Sequence, residues 1–505
     1  MAHEHVDVLV VGAGLSGIGA ACHLRRNRPQ DSVAILESRR AMGGTWDLFR
    51  YPGVRSDSDM HTLGYSFEPW TQAQAIADGP AILRYIRRTA AKYQVDRLVR
   101  YGHRVVDADW SSRHSRWTVT VQVLGDDGQT TSRTELTCRW LYLCTGYYRY
   151  DEGYTPEIPG LAEFSGRLVH PQHWPTDLDY TDRRVVVVGS GATAVTIVPE
   201  MARRAAHVTM LQRSPTYVVP RPTRDAVADG LQRVLPARAA HAAIRWKNAL
   251  AGLAVYQMCR HRPDTMRRFF RTQQRSLLPA DVINTHFTPS YDPWDQRLCL
   301  APDGDLFEAV SQGRASVVTD TIRRVTPTGV LLDSGGLLPA DVLVMATGLQ
   351  LLAFGGAGIR VDGVERQPSE MVVYKGMMLS DVPNLAFAVG YTNASWTLKV
   401  DLVSEYVCRL LDYLDDHGLA AVVPLAPPTT QTHRPLLDLT SGYVERSLPY
   451  LPRQGSKAPW TLYQNYPRDV WMLRHGPVAD EGVRFVRPAP PDTVTTGSSP
   501  ALPNL

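Results

Sequence analysis

The 505-residue chain has six cysteines, at 22, 138, 144, 259, 299 and 408, and no two stand in a Cys-x-x-Cys spacing. That lack argues against a dithiol redox centre and against a zinc ribbon, and no metal centre is expected. Dispersed thiols fit a reducing compartment, where they serve mostly as buried fillers. No uninterrupted apolar run approaches the roughly 20 residues that cross a bilayer. Met-Ala-His-Glu-His leads straight into a strand pattern, without a basic region or a cleavable apolar stretch. Charge of one sign is scarce as well: a net +4 makes no global case for nucleic acid or a strongly acidic partner. The expectation is a cytoplasmic protein, soluble or peripheral at the inner membrane face. By length alone it would hold about three domains, or one large split one.

What the chain does have is two glycine-rich strand-to-helix turns. Val6–Val11 is a valine-rich strand run ending in Gly12-Ala-Gly14-Leu-Ser-Gly17, a helical pattern follows over Ile18–Arg26, and a second strand, Val33–Leu36, ends at Glu37. Gly12 permits the tight turn, Gly14 lets backbone approach a pyrophosphate, and Gly17 lets helix pack close to strand. The pyrophosphate sits at the helix N-terminus, and Glu37, twenty residues after Gly17, can accept from ribose hydroxyls. Next, Gly43-Gly44-Thr45-Trp46 suggests backbone close to a ligand. Arg55 and Asp57 read equally well as an ordinary surface pair. Val105–Trp110 and Arg116–Val123 alternate as a hairpin, and Leu141–Cys144 is a buried strand ending in Thr145-Gly146.

The second turn is Gly189-Ser-Gly191-Ala-Thr193-Ala194, after the strand Arg184–Val188. Its next strand, His207–Leu211, ends in Gln212-Arg213 rather than in an acid. A carboxylate there would repel a 2′-phosphate, whereas a guanidinium holds one bidentately, so this site should prefer NADPH to NADH. The alternative is a plain surface charge. Ala346-Thr347-Gly348 echoes Cys144-Thr145-Gly146, which suggests two related modules. The helical insertion near 225–290 is basic and aromatic in patches, as in Arg245-Trp246-Lys247 and Arg267-Arg-Phe-Phe-Arg271. Such a pattern can lie on an anionic membrane, but a solvated face backed by a packed one is the preferred reading. From Pro488 onward, Pro, Ser, Thr and Gly dominate, and disorder is expected over 488–505.

Between the two turns, Phe164-x-Gly166-x-x-x-His170-x-x-x-Trp174-Pro175 resembles the fingerprint of the Baeyer–Villiger monooxygenases, within the class B flavoprotein monooxygenases. The resemblance runs to about Val486. Gly43–Asp57, Pro293–Cys299 and Val389–Lys399 are similar to the actinobacterial branch that includes the ethionamide-activating monooxygenase. It implies an α/β fold with two Rossmann-like domains. Residues 1–150 would begin the FAD domain, 151–180 form a linker with the fingerprint, and 181–350 form the NADPH domain with its helical insertion. Residues 351–487 would return to the FAD domain.

The resemblance also implies NADPH- and O2-dependent conversion of ketones to esters or lactones through a C4a-peroxyflavin. Oxygenation of thioethers or thioamides is a further capability, and the alternative is an N- or S-hydroxylase with little ketone activity. It makes Arg297 the catalytic arginine and Asp57 its acidic neighbour. Gln296 stands where other branches carry a basic residue. Asn393 and Lys399 have no assigned role. Phe164–Pro175 itself reads as a loop that couples the domains, with His170 organising it.

Overall fold

The computed structural model describes residues 4–428, 430–431 and 433–488. Apart from Pro488, the tail read above as disordered lies outside them.

Glu4–Val11 is the centre of the first sheet. It runs parallel to Val33–Glu37 on one side and to the end of Thr130–Leu143 on the other. Val99–Tyr101 extends the sheet beyond Val33–Glu37, and Leu385–Phe387 pairs with Leu141–Leu143. Val8, Leu9 and Val10 are fully buried, as befits a parallel strand covered on both faces. The helices Leu15–Asn27 and Trp396–Asp416 pack in the core on one side. The antiparallel meander His103–Ser111, Arg116–Leu124 and Thr130–Cys138 belongs to the core on the other, built around Trp110 and Trp117.

The strand expected from Leu141 therefore starts eleven residues earlier. Its first six residues, Thr130–Glu135, are exposed and polar and carry no apolar alternation, so only their pairing with Arg116–Leu124 reveals them as strand.

The second sheet is parallel throughout, in the order Ala315–Thr319, His207–Gln212, Arg184–Val188, Val342–Met345 and Arg167–Val169. Its last member corrects the loop reading of Phe164–Pro175. Leu168 pairs with Leu343, so the middle of that stretch is an edge strand. The helices Ala226–Val234, Ala237–His261, Pro263–Arg275 and Ala280–His286 are inserted between two short paired strands, Val218–Arg221 and Cys299–Pro302.

Arg245 overturns part of the reading of that insertion as a basic surface. Its side chain is 5% exposed, donates to the carbonyls of His61, Thr62 and Gly64, and pairs with Asp401 at 3.0 Å. Asp401 in turn accepts from the Ser66 N–H and contacts His23 at 3.2 Å. Burial works against the charged Asp401, yet these partners hold its carboxyl below the usual range. The inner face of the insertion is thus pinned into the first sheet's helical layer. Arg267, read as part of the other basic patch, is neutralised by Asp264 and Asp292.

Candidate active site

Both fingerprint turns open onto one cavity of about 390 Å³, lined by Gly12, Gly14, Glu37, Gly44, Thr45 and Trp46 from the first sheet's side and by Ala192, Thr193 and Thr196 from the second's. The two turns share a construction. Gly12 has φ +103°, and a Cβ on it would stand 2.6 Å from the Cys144 carbonyl oxygen; Gly189 has φ +136°, with a Cβ 2.2 Å from the Ala346 carbonyl. Each first glycine therefore backs onto the residue before a Thr-Gly pair, which gives the sequence echo a physical cause. Only a residue without Cβ allows that approach.

The helix Leu15–Asn27 begins at Gly14 with no side-chain cap, so its first N–H groups have no capping acceptor among the described residues. The same holds at Gly191, before the helix Ala192–Met201. Gly43 N–H donates to the Ala13 carbonyl, which brings Gly44 against Gly14; a Cβ on Gly44 would lie 3.0 Å from the Gly14 Cα. Thr45 Oγ1 lies 3.3 Å from the Tyr150 hydroxyl at the same place. Glu37 accepts from the N–H groups of Ala13 and Arg39 at 2.8 and 2.9 Å. Burial pushes its carboxyl up, against those two donors. The Ser38 hydroxyl also donates to it, at 3.5 Å, and with three of about four acceptor positions used Glu37 can still receive a hydroxyl donor. Uncapped helix ends, facing backbone and a spare acceptor fit a dinucleotide.

Arg297 and Asp57 meet in this cavity, Nη2 to Oδ2 at 3.1 Å. Arg55 does not join them: its guanidinium pairs with Asp305 at 2.5 Å, so the suggested Arg55–Asp57 surface pair is not formed. The Asp57 charge raises the Arg297 guanidinium further above its ordinary value, with desolvation opposing. At 30% and 37% side-chain exposure the ion pair contributes about 1 kcal/mol or less to folding, so its consequence is orientation. Burial keeps the phenols of Tyr148 and Tyr443 protonated, and pushes the Cys299 thiol up to about 12. A neutral thiol there is a poor nucleophile. Phe49, Val54, Leu300, Leu349, Leu352 and Phe354 give the cavity an apolar wall.

Other sequence-selected residues stand behind or away from the cavity. Gly17 packs on the Gly12 carbonyl, and Ala194 is fully buried under the second sheet. Arg213 is exposed, with no carboxylate partner among the described residues, while Gln212 is turned inward onto the His286 carbonyl and Thr319. The fingerprint contributes nothing to the cavity lining. Phe164 packs against the cluster around Val186, Leu343 and Met345 and Trp174 against the one around Val185, Val187 and Val344, on the second sheet's opposite faces. Gly166 faces the Asp341 carbonyl, where a Cβ would come within 2.4 Å, and Pro175 accepts from the Leu178 N–H in the turn that follows. His170 caps the turn at Gln172 and packs on Gly153. Burial lowers its pKa.

Sequence reasoning missed Tyr147, Tyr148, Tyr391 and Trp396 as lining residues. The first two had a signal: they follow the Thr-Gly turn at the carboxyl end of a parallel strand, where α/β sheets bind ligands. Asn393 and Lys399 support the site from behind. Asn393 donates to the Gln464 carbonyl, and fully buried Lys399 pairs with Asp469, which also accepts from Tyr391.

The family described as pyridine nucleotide-disulphide oxidoreductase matches residues 6–239. No dithiol accompanies that match, since all six cysteines are free and buried. The chain is 56% identical to the FAD-containing monooxygenase EthA of Mycobacterium tuberculosis over 490 residues, 96% of this chain and 99% of that protein. It is 43% identical to the probable FAD-binding monooxygenase AlmA of Acinetobacter baylyi over 501 residues, 99% of each. A solved steroid monooxygenase bound to NADP superimposes with a TM-score of 0.75 over 96% of this chain and all of that one, at 22% identity, a likeness of fold. These relatives bear out the resemblance carried by the fingerprint and the branch motifs. With half or more of its residues identical to such relatives over nearly its whole length, the chain belongs to the family of FAD-containing monooxygenases.

Proposed function

We propose that the protein is an NADPH- and O2-dependent monooxygenase that converts small apolar ketones to esters or lactones and oxygenates thioethers or thioamides at the same site. The observation that carries this reading is the Arg297–Asp57 pair in the cavity onto which both fingerprint helices open. In this reading the first sheet's module, residues 1–150 with 351–487, takes FAD, and the second, 181–350, takes NADPH. Gly12, Gly14 and Gly44 bring backbone N–H groups to the FAD pyrophosphate while Glu37 accepts from its ribose. Gly189, Gly191 and Thr193 do the same for NADPH, and Arg213 holds its 2′-phosphate.

Bound FAD, reduced by NADPH, supplies the activation of dioxygen. The protein's part is electrostatic. Arg297 is a fixed cation whose N–H groups can meet negative charge developing on a substrate carbonyl oxygen, a contribution of roughly 3–4 kcal/mol per donor in comparable oxyanion holes. Asp57 holds that guanidinium in one orientation without closing it off, since both side chains stay about a third exposed. The apolar wall selects small hydrophobic substrates and limits water at the reacting carbonyl.

The test is the FAD-loaded protein supplied with NADPH, O2 and a panel of aliphatic ketones, thioethers and thioamides, scored by mass spectrometry. Esters one oxygen atom heavier than the ketones are expected, along with sulfoxides. Sulfoxide without ester would remove the ketone half of the proposal, and NADPH loss with neither product would remove both.

A further inference from the structure

The outer face of the long insertion helix, Ala237–His261, runs against the usual pattern of an exposed helix. Its inner side is packed, burying Ala240, Ile244, Arg245 and Ala249. Between 242 and 258 every exposed residue is apolar: Trp246, Leu250, Val255, Met258 and three alanines. Leu250, Val255 and Met258 are each more than 40% exposed. The one other charge in this span is Lys247, which is bound to Asp225. At about 1.5 Å per residue, these 17 positions give an apolar strip on the order of 25 Å long, flanked by Arg238 and Arg260.

The charge around the strip is one-sided. Residues 226–286 hold ten Lys and Arg against three Asp; Arg245, Lys247, Arg260 and Arg267 are paired with Asp401, Asp225, Asp295 and Asp292, which leaves six arginines, at 233, 238, 262, 268, 271 and 275, without a carboxylate partner among the described residues. At the start of the helix the surface opens into a groove of about 860 Å³, where Trp246 and Tyr466 meet Arg26 and Arg238. Among the described residues neither of these arginines has a carboxylate partner. On the following helix Phe269 is 51% exposed beside exposed Arg268.

We propose that this face of the insertion docks on an anionic lipid bilayer, with the apolar strip entering the interfacial layer and the surrounding arginines meeting lipid phosphates. Contiguous exposed apolar surface marks a contact site, and the pairing of a Trp-bearing apolar strip with excess cationic charge suits the boundary of a negatively charged membrane. No helix among the described residues is long and apolar enough to cross a membrane, so the helix lies along the surface. A second copy of the chain is the poorer occupant, because a two-fold contact would bring the same unpaired arginines together. The groups packed inside, Arg245 with Asp401, hold the helix against the protein and leave the strip free to face outward.

The experiment is sedimentation of the FAD-loaded full chain with phosphatidylcholine vesicles, with and without phosphatidylglycerol, at low and high salt. The protein should partition onto the vesicles containing phosphatidylglycerol, at least about tenfold better than onto neutral ones, and salt should weaken this. Leu250→Glu combined with Met258→Glu should abolish partitioning while the melting temperature and flavin spectrum stay as in the parent. Arg238→Ala with Arg268→Ala gives a second, milder set and should lower partitioning without changing oligomeric state. Failure to bind anionic vesicles at low salt would overturn the proposal. So would unchanged binding by the Glu variants, or a light-scattering mass showing that the strip is consumed in self-association.

Discussion

Exchanging the first glycine of each fingerprint for alanine should separate the two cofactors. In Gly12→Ala the new methyl would stand 2.6 Å from the Cys144 carbonyl oxygen at φ +103°, and in Gly189→Ala 2.2 Å from the Ala346 carbonyl at φ +136°. Relief requires backbone movement. The unfavourable dihedral costs about 1–3 kcal/mol and the overpacking a similar amount. If about 3 kcal/mol of this falls on the turn that holds the pyrophosphate, affinity drops on the order of a hundredfold. Gly191→Ala is the comparison: φ is −76° and no atom lies within 4 Å of the added methyl, so folding is untouched and only a ligand placed there would meet it.

The assay is the flavin spectrum during anaerobic titration. Gly189→Ala should purify yellow and bleach with dithionite like the parent, yet need about a hundredfold more NADPH. Gly12→Ala should purify depleted of flavin while keeping its NADP⁺ affinity. The opposite pattern, flavin lost from Gly189→Ala and kept by Gly12→Ala, would refute the assignment of the two modules.

Replacing Arg213 with Glu should raise the KM for NADPH by about ten- to a hundredfold and leave NADH little changed, checked by steady-state kinetics with both coenzymes. Arg245→Ala strands the buried Asp401 with His23 and one N–H, and should cost roughly 3–5 kcal/mol in denaturant unfolding, against about 1 kcal/mol or less for the exposed Arg100–Glu4 pair. His241 gives a pH dependence. Burial, aided by the Arg245 charge, pushes its imidazole down to about 4. The unfolded chain therefore binds a proton that the folded one refuses, and stability falls as pH drops from about 6.5 towards 4, by roughly 3 kcal/mol at most. Melting curves of His241→Gln should lose that part of the acid slope.

The elements that were legible in the sequence are those whose signal is local. Gly12–Gly17 and Gly189–Ala194 announce their turns because close backbone approach demands glycine at fixed offsets, and Val185–Val188 is apolar throughout because both of its faces are covered. The elements that were not legible depend on distant partners. Arg167–Val169 is too short for any alternation to show, and it becomes strand only through Val342–Val344, 175 positions on. Arg245 reads as surface charge until Asp401 reaches it from 156 positions away. Asp57 was equally readable as Arg55's surface partner; Asp305 takes that arginine and leaves Asp57 for Arg297. The apolar strip on Ala237–His261 was masked by the neighbouring Arg245-Trp246-Lys247, whose members face different ways around the helix.

The central claim is that Arg297 serves oxygenation and not flavin reduction, and a single turnover of Arg297→Ala tests it most directly. The variant is first reduced with one equivalent of NADPH without oxygen, then mixed with oxygenated buffer and a ketone that the parent converts. Flavin reduction should proceed at the parent's rate, while ester yield falls on the order of a hundred- to a thousandfold. Ester formed at the parent's yield, or reduction lost together with oxygenation, would contradict the account.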